Sequence, residues 1–155
     1  MRFLTQTIPL AWIIFTSGVS IANTGEHVYS ANNAKWKTEC SACHVAYPPQ
    51  LLPAESWRTM MTQLDKHFGA DASLDAKTAA EISAFLQANA GRNKREATGK
   101  PPLRITETRW FKHEHDEVPA RVWGSPAVKQ SSNCAACHKQ AERGDFSESS
   151  LRVPR

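Results

Sequence analysis

Apolar residues in this chain are gathered into short groups bounded by prolines, glycines or polar runs, and the spacing within each group predicts its element. The densest group comes first. From Ile8 to Phe15 the chain is apolar, Arg2 is the only charge before it, and Ser20 and Ala22 suit the −3 and −1 positions of a small-residue cleavage site. Residues 1–22 therefore read as a secretory leader cleaved after Ala22, with an uncleaved anchor as the alternative. The apolar run is shorter than the roughly 20 residues a membrane span needs.

The groups that follow predict helices. Ala31 to His44 suits a short helix that carries Trp36. Pro48, Pro49 and Pro53 around Leu51 and Leu52 then force an extended, polyproline-like excursion. From Glu55 to Phe68, the residues Trp57, Met60, Leu64 and His67 recur on one face of the next helix, and Gly69 stops it. Asp75 to Asn89 is a further amphipathic helix, with Ala79, Ile82 and Leu86 on its buried stripe and Gly91 behind it.

The pattern lapses from Arg92 to Pro102, where Arg92, Lys94, Arg95 and Lys100 stand among polar residues with Gly99 and two prolines at the end. This reads as a linker, with docking of an acidic partner as the second reading. Thr106 to Val118 predicts another helix, with Phe111, His115 and Val118 on one face and Trp110, His113 and Glu117 on another. Pro119 ends it. Trp123, Gly124 and Pro126 make an irregular connection, and Asn133 suits the N-cap of a short helix from Cys134 to Glu142 that Gly144 ends. Ser147 to Arg155 reads as a polar tail.

Composition narrows what such a chain can do. The formal charge of +4 falls to +3 once Arg2 leaves with the leader. No Gly-rich phosphate loop, nucleotide motif or basic helix interleaved with aromatics is present, so neither DNA nor other nucleic acid is an expected partner. About 133 residues remain after cleavage.

All four cysteines fall in one repeated pattern, Cys40-Ser41-Ala42-Cys43-His44 and Cys134-Ala135-Ala136-Cys137-His138. C-x-x-C-H is the pattern of covalent c-type haem attachment, in which two thiols bond the porphyrin edge and the adjacent imidazole lies under the iron. Cys40, Cys43, Cys134 and Cys137 are thus expected to hold two covalent haem c groups, with His44 and His138 as iron ligands. The alternatives are weaker. Zinc ribbons separate their pairs by about 15 to 20 residues, whereas Cys43 and Cys134 lie 91 positions apart. A disulfide framework gives no reason for a His after each pair, and thioredoxin-like chemistry wants a strand before each motif. Two haems among so few residues leave roughly 65 residues per porphyrin, too few for a large separate core in each half. Haem is therefore expected to supply much of the apolar interior.

Each iron has a sixth position to fill. His67 shares its helix face with apolar residues and is the candidate in the first half, with Met60 and Met61 as rivals better suited to filling gaps. Of the two histidines in the second half, His115 keeps more apolar company than His113.

The chain resembles the bacterial dihaem cytochrome c family whose members accompany a small oxygen-binding monohaem cytochrome c and a membrane cytochrome b. The resemblance rests on Glu39 to His44, the run Ala46 to Ala54, Ser56-Trp57, His67-Phe68-Gly69, Trp110-Phe111 ahead of His115, and Asn133 to His138. It implies bis-histidine coordination of both haems, favouring His67 and His115 over His27 and His113, and it leaves open which of them serves which haem. It implies a periplasmic electron carrier, not an enzyme, whose partners are other redox proteins and which meets the membrane only through a partner. A small peroxidase or gas-binding protein with one open haem is the alternative. The expected architecture is mostly α and two-lobed, with short helices and long irregular loops around the haems: residues 23–91 for the first lobe, 92–102 for the linker and 103–155 for the second lobe.

Overall fold

The computed structural model describes residues 28–92 and 99–154. The expected leader 1–22, His27, Lys94 and Arg95 lie outside the described residues. Among the described residues the fold is short helices and single turns joined by irregular chain, with isolated backbone bridges and no sheet. No helix among them is long and apolar enough to cross a membrane.

Helix α1, Ala34–Cys40, is shorter at both ends than its residue pattern predicts. The Asn33 side chain accepts from the Trp36 amide at 2.9 Å and so fixes the start. The Ser41 amide and hydroxyl both turn back on the Lys37 carbonyl, and the chain leaves the helix there. The first cysteine is therefore the last residue of the helix. The proline stretch after the motif is extended at Pro48 and Pro53 but tightens into a 3₁₀ turn at Pro49–Leu51. Trp57 pins that turn by donating its indole N–H to the Pro49 carbonyl at 2.7 Å, and Leu51 and Leu52 drop into the core.

Helix α2, Ala54–Met61, stops well before Phe68. The Thr62 hydroxyl donates to the Thr59 carbonyl at 2.8 Å, offering the backbone an alternative to a further helical turn. A 3₁₀ turn at Leu64–Lys66 follows, and then a tight reversal in which the Ala70 amide donates to the His67 carbonyl at 3.0 Å. Phe68 and Gly69 take positive φ of 50° and 97° to make it. His67 thus sits on a turn rather than on a helix face. Helix α3, Ala76–Ala88, starts where Asp75 accepts from the Lys77 and Thr78 amides, and it lays Ile82 and Leu86 against α1 and α2. Gly91 then returns to the leucine turn, donating its amide to the Leu52 carbonyl at 3.0 Å. A Cβ there would collide with the Gln50 carbonyl oxygen, so this approach requires glycine.

In the second half, the helix expected over Thr106 to Val118 is broken at Thr108. A 3₁₀ turn, Ile105–Glu107, precedes it. The Thr108 hydroxyl then accepts from the Phe111 amide at 3.0 Å and restarts the chain as α4, Arg109–Glu114. Pro119 precedes one further turn, α5, Ala120–Trp123. Asn133 does not cap a helix. Its side-chain amide donates to the Val128 carbonyl at 3.1 Å, and the second motif forms only a 3₁₀ turn, Cys134–Ala136. A second such turn, Ala141–Arg143, ends at Gly144 with φ 77°.

The stretch from Ser147 onward packs back on the motif rather than trailing as a tail. The Arg152 amide donates to the Cys137 carbonyl at 2.8 Å, the Lys139 amide donates to the Ser150 carbonyl at 3.3 Å, and Ser147 and Ser150 are buried. The opposite end of the described chain closes the same region, where the Tyr29 amide donates to the Gly144 carbonyl at 2.9 Å and Val28 bridges Asp145.

The larger apolar cluster joins Trp36, Leu51, Leu52, Trp57, Ile82 and Leu86 to Ile105 and Phe111. It therefore draws on residues from both sides of the 92–102 segment. The second cluster is small, built on Val122, Val128 and Ala136.

Candidate metal centres

Two histidine pairs organise the chemistry. His44 follows directly from the first motif, and its Nδ1–H donates to the Val45 carbonyl at 2.7 Å, which assigns Nε2 as the ring's free nitrogen. Tyr47 stacks on this imidazole with centroids 4.5 Å apart and planes within 15°. Across from it stands His67, with centroids 6.1 Å apart and ring planes at 25°. The reversal at Phe68 aims it there. Phe68 meets the His67 ring edge-on at 4.9 Å, and the Arg104 guanidinium lies 4.1 Å over the Phe68 ring. Burial, then the His44 ring and then the Arg104 charge push the His67 pKa below its ordinary value, keeping the imidazole neutral with a lone pair to offer.

The second pair repeats the separation with different support. His115 and His138 also have centroids 6.1 Å apart, but their planes stand at 72°. The i, i+4 spacing from Phe111 does what it predicted: the rings stack at 4.0 Å, and the His115 Nδ1–H donates to the Phe111 carbonyl at 2.9 Å. Trp123 flanks the same ring at 5.8 Å, and Phe146 lies 5.2 Å from His138. Burial and then the His115 ring push the His138 pKa down, against a smaller upward pull from Asp145 and the Phe146 backbone. His113, by contrast, is 82% exposed and 4.0 Å from Asp116. Met60 and Met61 pack on the larger core, as gap-filling methionines do.

These spacings suit one iron per pair. With metal–imidazole bonds of about 2.0–2.1 Å and roughly 1.1 Å from each nitrogen to its ring centre, a metal between two rings sets their centroids about 6.3 Å apart. Both pairs are within a few tenths of that value. Ring N–H groups tied to backbone carbonyls are likewise the usual support of a metal-bound imidazole.

All four cysteines are free. Burial raises the thiols of Cys40 and Cys134 to about 11 and that of Cys137 to a lesser degree, while Cys43 is exposed. Thiolate ligands and redox nucleophiles need the opposite shift. Among the described residues no group of three or more His, Cys, Asp or Glu converges on one point. The donor set is therefore two imidazole pairs, each beside a Cys pair in sequence, which fits two covalently attached haems.

Tyr47, Arg104 and Phe146 are neighbours of the sites that no periodicity marks. Arg104 reaches its site from 36 positions beyond Phe68, while Tyr47 and Phe146 lie three and eight positions past the histidines they meet, in stretches with no helical period to mark them. The one available signal is the position of Tyr47 between a metal-binding motif and a proline pair.

The family model described as dihaem cytochrome c matches residues 36–146. Among solved structures, the diheme cytochrome c from Rhodobacter sphaeroides is 44% identical, with a TM-score of 0.68 over 77% of this chain and 99% of that one. A crystal structure of DHC purified from the same organism is 49% identical, with a TM-score of 0.65 over 74% of this chain and 97% of that one. The diheme cytochrome sb-DHC from Shewanella baltica OS155 is 40% identical, with a TM-score of 0.70 over 79% and 93%. No curated protein matches the chain.

Proposed function

The chain belongs to the dihaem cytochrome c family, and on that premise we propose that it carries electrons between protein partners in the periplasm through two irons, each closed by two histidines. It is a haem protein with two covalent haem c groups, in a family of electron carriers. Each haem supplies a reversible one-electron couple. In this reading Cys40 and Cys43 hold the first haem between His44 and His67, and Cys134 and Cys137 hold the second between His115 and His138.

The observation that carries the reading is the common 6.1 Å separation of two imidazole pairs that come from distant parts of the chain. A second imidazole on each iron leaves no site for an exogenous ligand and favours little rearrangement on electron transfer. The backbone carbonyls of Val45 and Phe111 orient two of the four rings, and the Phe68 turn and the stretch around Phe146 set the other two. The finer partners implied by the resemblance, a small oxygen-binding monohaem cytochrome c and a membrane cytochrome b, suit such a carrier.

Carbon monoxide added to the fully reduced protein tests this directly. Both Soret bands should stay unshifted, and hydrogen peroxide should not be turned over with an electron donor. Stoichiometric carbon monoxide binding would replace the carrier with a gas-binding or peroxidatic protein.

A further inference from the structure

Tyr47 touches both sites at once. Its ring lies 4.5 Å from the His44 imidazole and nearly parallel to it. Its hydroxyl donates at 2.6 Å to the Ser132 carbonyl, 85 positions along the chain. That same carbonyl accepts the Cys134 amide at 3.0 Å and lies 3.6 Å from the Cys134 sulfur. One half-buried side chain therefore spans from an iron ligand of the first site to an attachment sulfur of the second, through a single hydrogen bond.

We propose that Tyr47 is the positioning residue that joins the two haem sites, setting the second attachment motif against the first iron's histidine and giving electrons a continuous path between them. The proposal rests on the two-haem reading above. A hydrogen bond that spans so many residues has little to gain from local folding, and both its ends are fixed by other bonds. On one side Trp57 pins the loop beyond Tyr47 at Pro49, and on the other Asn133 is held to Val128. The tyrosine hydroxyl ties together two loops that are already ordered, which is the circumstance in which one bond transmits position rather than merely adding stability.

The test is Tyr47→Phe in the haem-loaded protein, which keeps the ring against His44 and removes the bond to Ser132. Hydrogen exchange at residues 132–137 should quicken roughly two- to thirteen-fold, the factor that corresponds to one net hydrogen bond. Electron equilibration between the haems after flash reduction should slow in the same variant. Trp57→Phe is the control, because it loses a buried hydrogen bond of the same loop without touching the second motif. It should leave exchange at 132–137 unchanged. Unchanged exchange and equilibration in Tyr47→Phe, or equal loosening in Trp57→Phe, would overturn the role of Tyr47. Failure of the underlying reading would be visible earlier and separately, as a wild-type protein without two low-spin haems.

Discussion

The first histidine pair is held by helix ends and the larger apolar core, whereas the second is divided: His115 caps α4 and stacks on Phe111 of that same core, while His138 is held by single turns and a few backbone bonds. His44 leaves the end of α1, whose Trp36 belongs to the larger cluster, and His67 hangs from a reversal beside α2. Around His138 there is a 3₁₀ turn, a small cluster, and two amide bonds between the Cys137–Lys139 and Ser150–Arg152 backbones. The same five-residue pattern thus sits in two unlike scaffolds, and the shared quantity is the ring separation. On the bis-histidine reading each motif histidine needs a partner imidazole at one distance, and two unlike local architectures supply it. The first scaffold draws on buried apolar area. Around His138 the scaffold draws instead on backbone hydrogen bonds between short turns, which open more readily than a packed core.

The largest effect that would break this comparison comes from removing one ring of each pair. His67→Ala should open only the first haem to carbon monoxide, and His115→Ala only the second, with His113→Ala opening neither. If His67→Ala instead opens the second haem, the distal rings are exchanged between the two irons.

A smaller effect should separate the two scaffolds energetically. A chain ending at Phe146 loses the Arg152 and Ser150 bonds to the second motif, and at about 1 kcal/mol for each such bond its second site should unfold at roughly 2 kcal/mol lower stability. The first site should keep its urea midpoint. Equal losses at both sites, read from their separate Soret signals, would mean that the two scaffolds form one cooperative unit.

The smallest effect is spectroscopic and needs no substitution. Each imidazole donates π-density through an orbital perpendicular to its plane. Nearly parallel rings act on the same iron orbital and split the pair, whereas nearly perpendicular rings leave the two almost degenerate. The planes at 25° and 72° should therefore give two distinct low-spin electron paramagnetic resonance signals, the second with the larger maximum g-value. A single signal that integrates to both irons would show the two orientations to be alike in solution.

Much of this arrangement is legible in the order of the residues alone. The mostly helical class follows from the short periodic groups, and the stack of His115 on Phe111 follows from an i, i+4 spacing that needs nothing beyond one helical turn. Periodicity singles out His67 as well, but on a helix that in fact ends six residues earlier, at Met61. Its apolar company in sequence points the right way, while the Thr62 hydroxyl and the left-handed Phe68 fix its actual position. The breaks at Thr62 and Thr108 share one cause. In each, a threonine hydroxyl donates to the carbonyl three residues before it, Thr59 or Ile105, and competes with helix propagation. Helical periodicity is blind to such bonds because apolar spacing continues undisturbed across them. Ser147 to Ser150 resembles a tail because its residues are polar, yet Asp145 accepts the Ser147 amide at 2.8 Å and the Ser150 hydroxyl donates to the Ser147 carbonyl at 3.2 Å. These local bonds satisfy groups that would otherwise forbid burial.

The junction of Tyr29 with Gly144 carries a consequence in time rather than in space. A Cβ at position 144 would collide with the Tyr29 carbonyl oxygen, so the two backbones touch with no room for a side chain. Residues 28 and 29 are made among the first of the described chain and meet their partners among the last. Such distant pairing forms late, because the closure entropy must be met before the contact rewards it. Residues 28 and 29 are therefore expected to close onto 144 and 145 after the rest of the described chain is in place. Shutting that latch needs the chain through Asp145 to be in place, which makes it one of the last steps of folding.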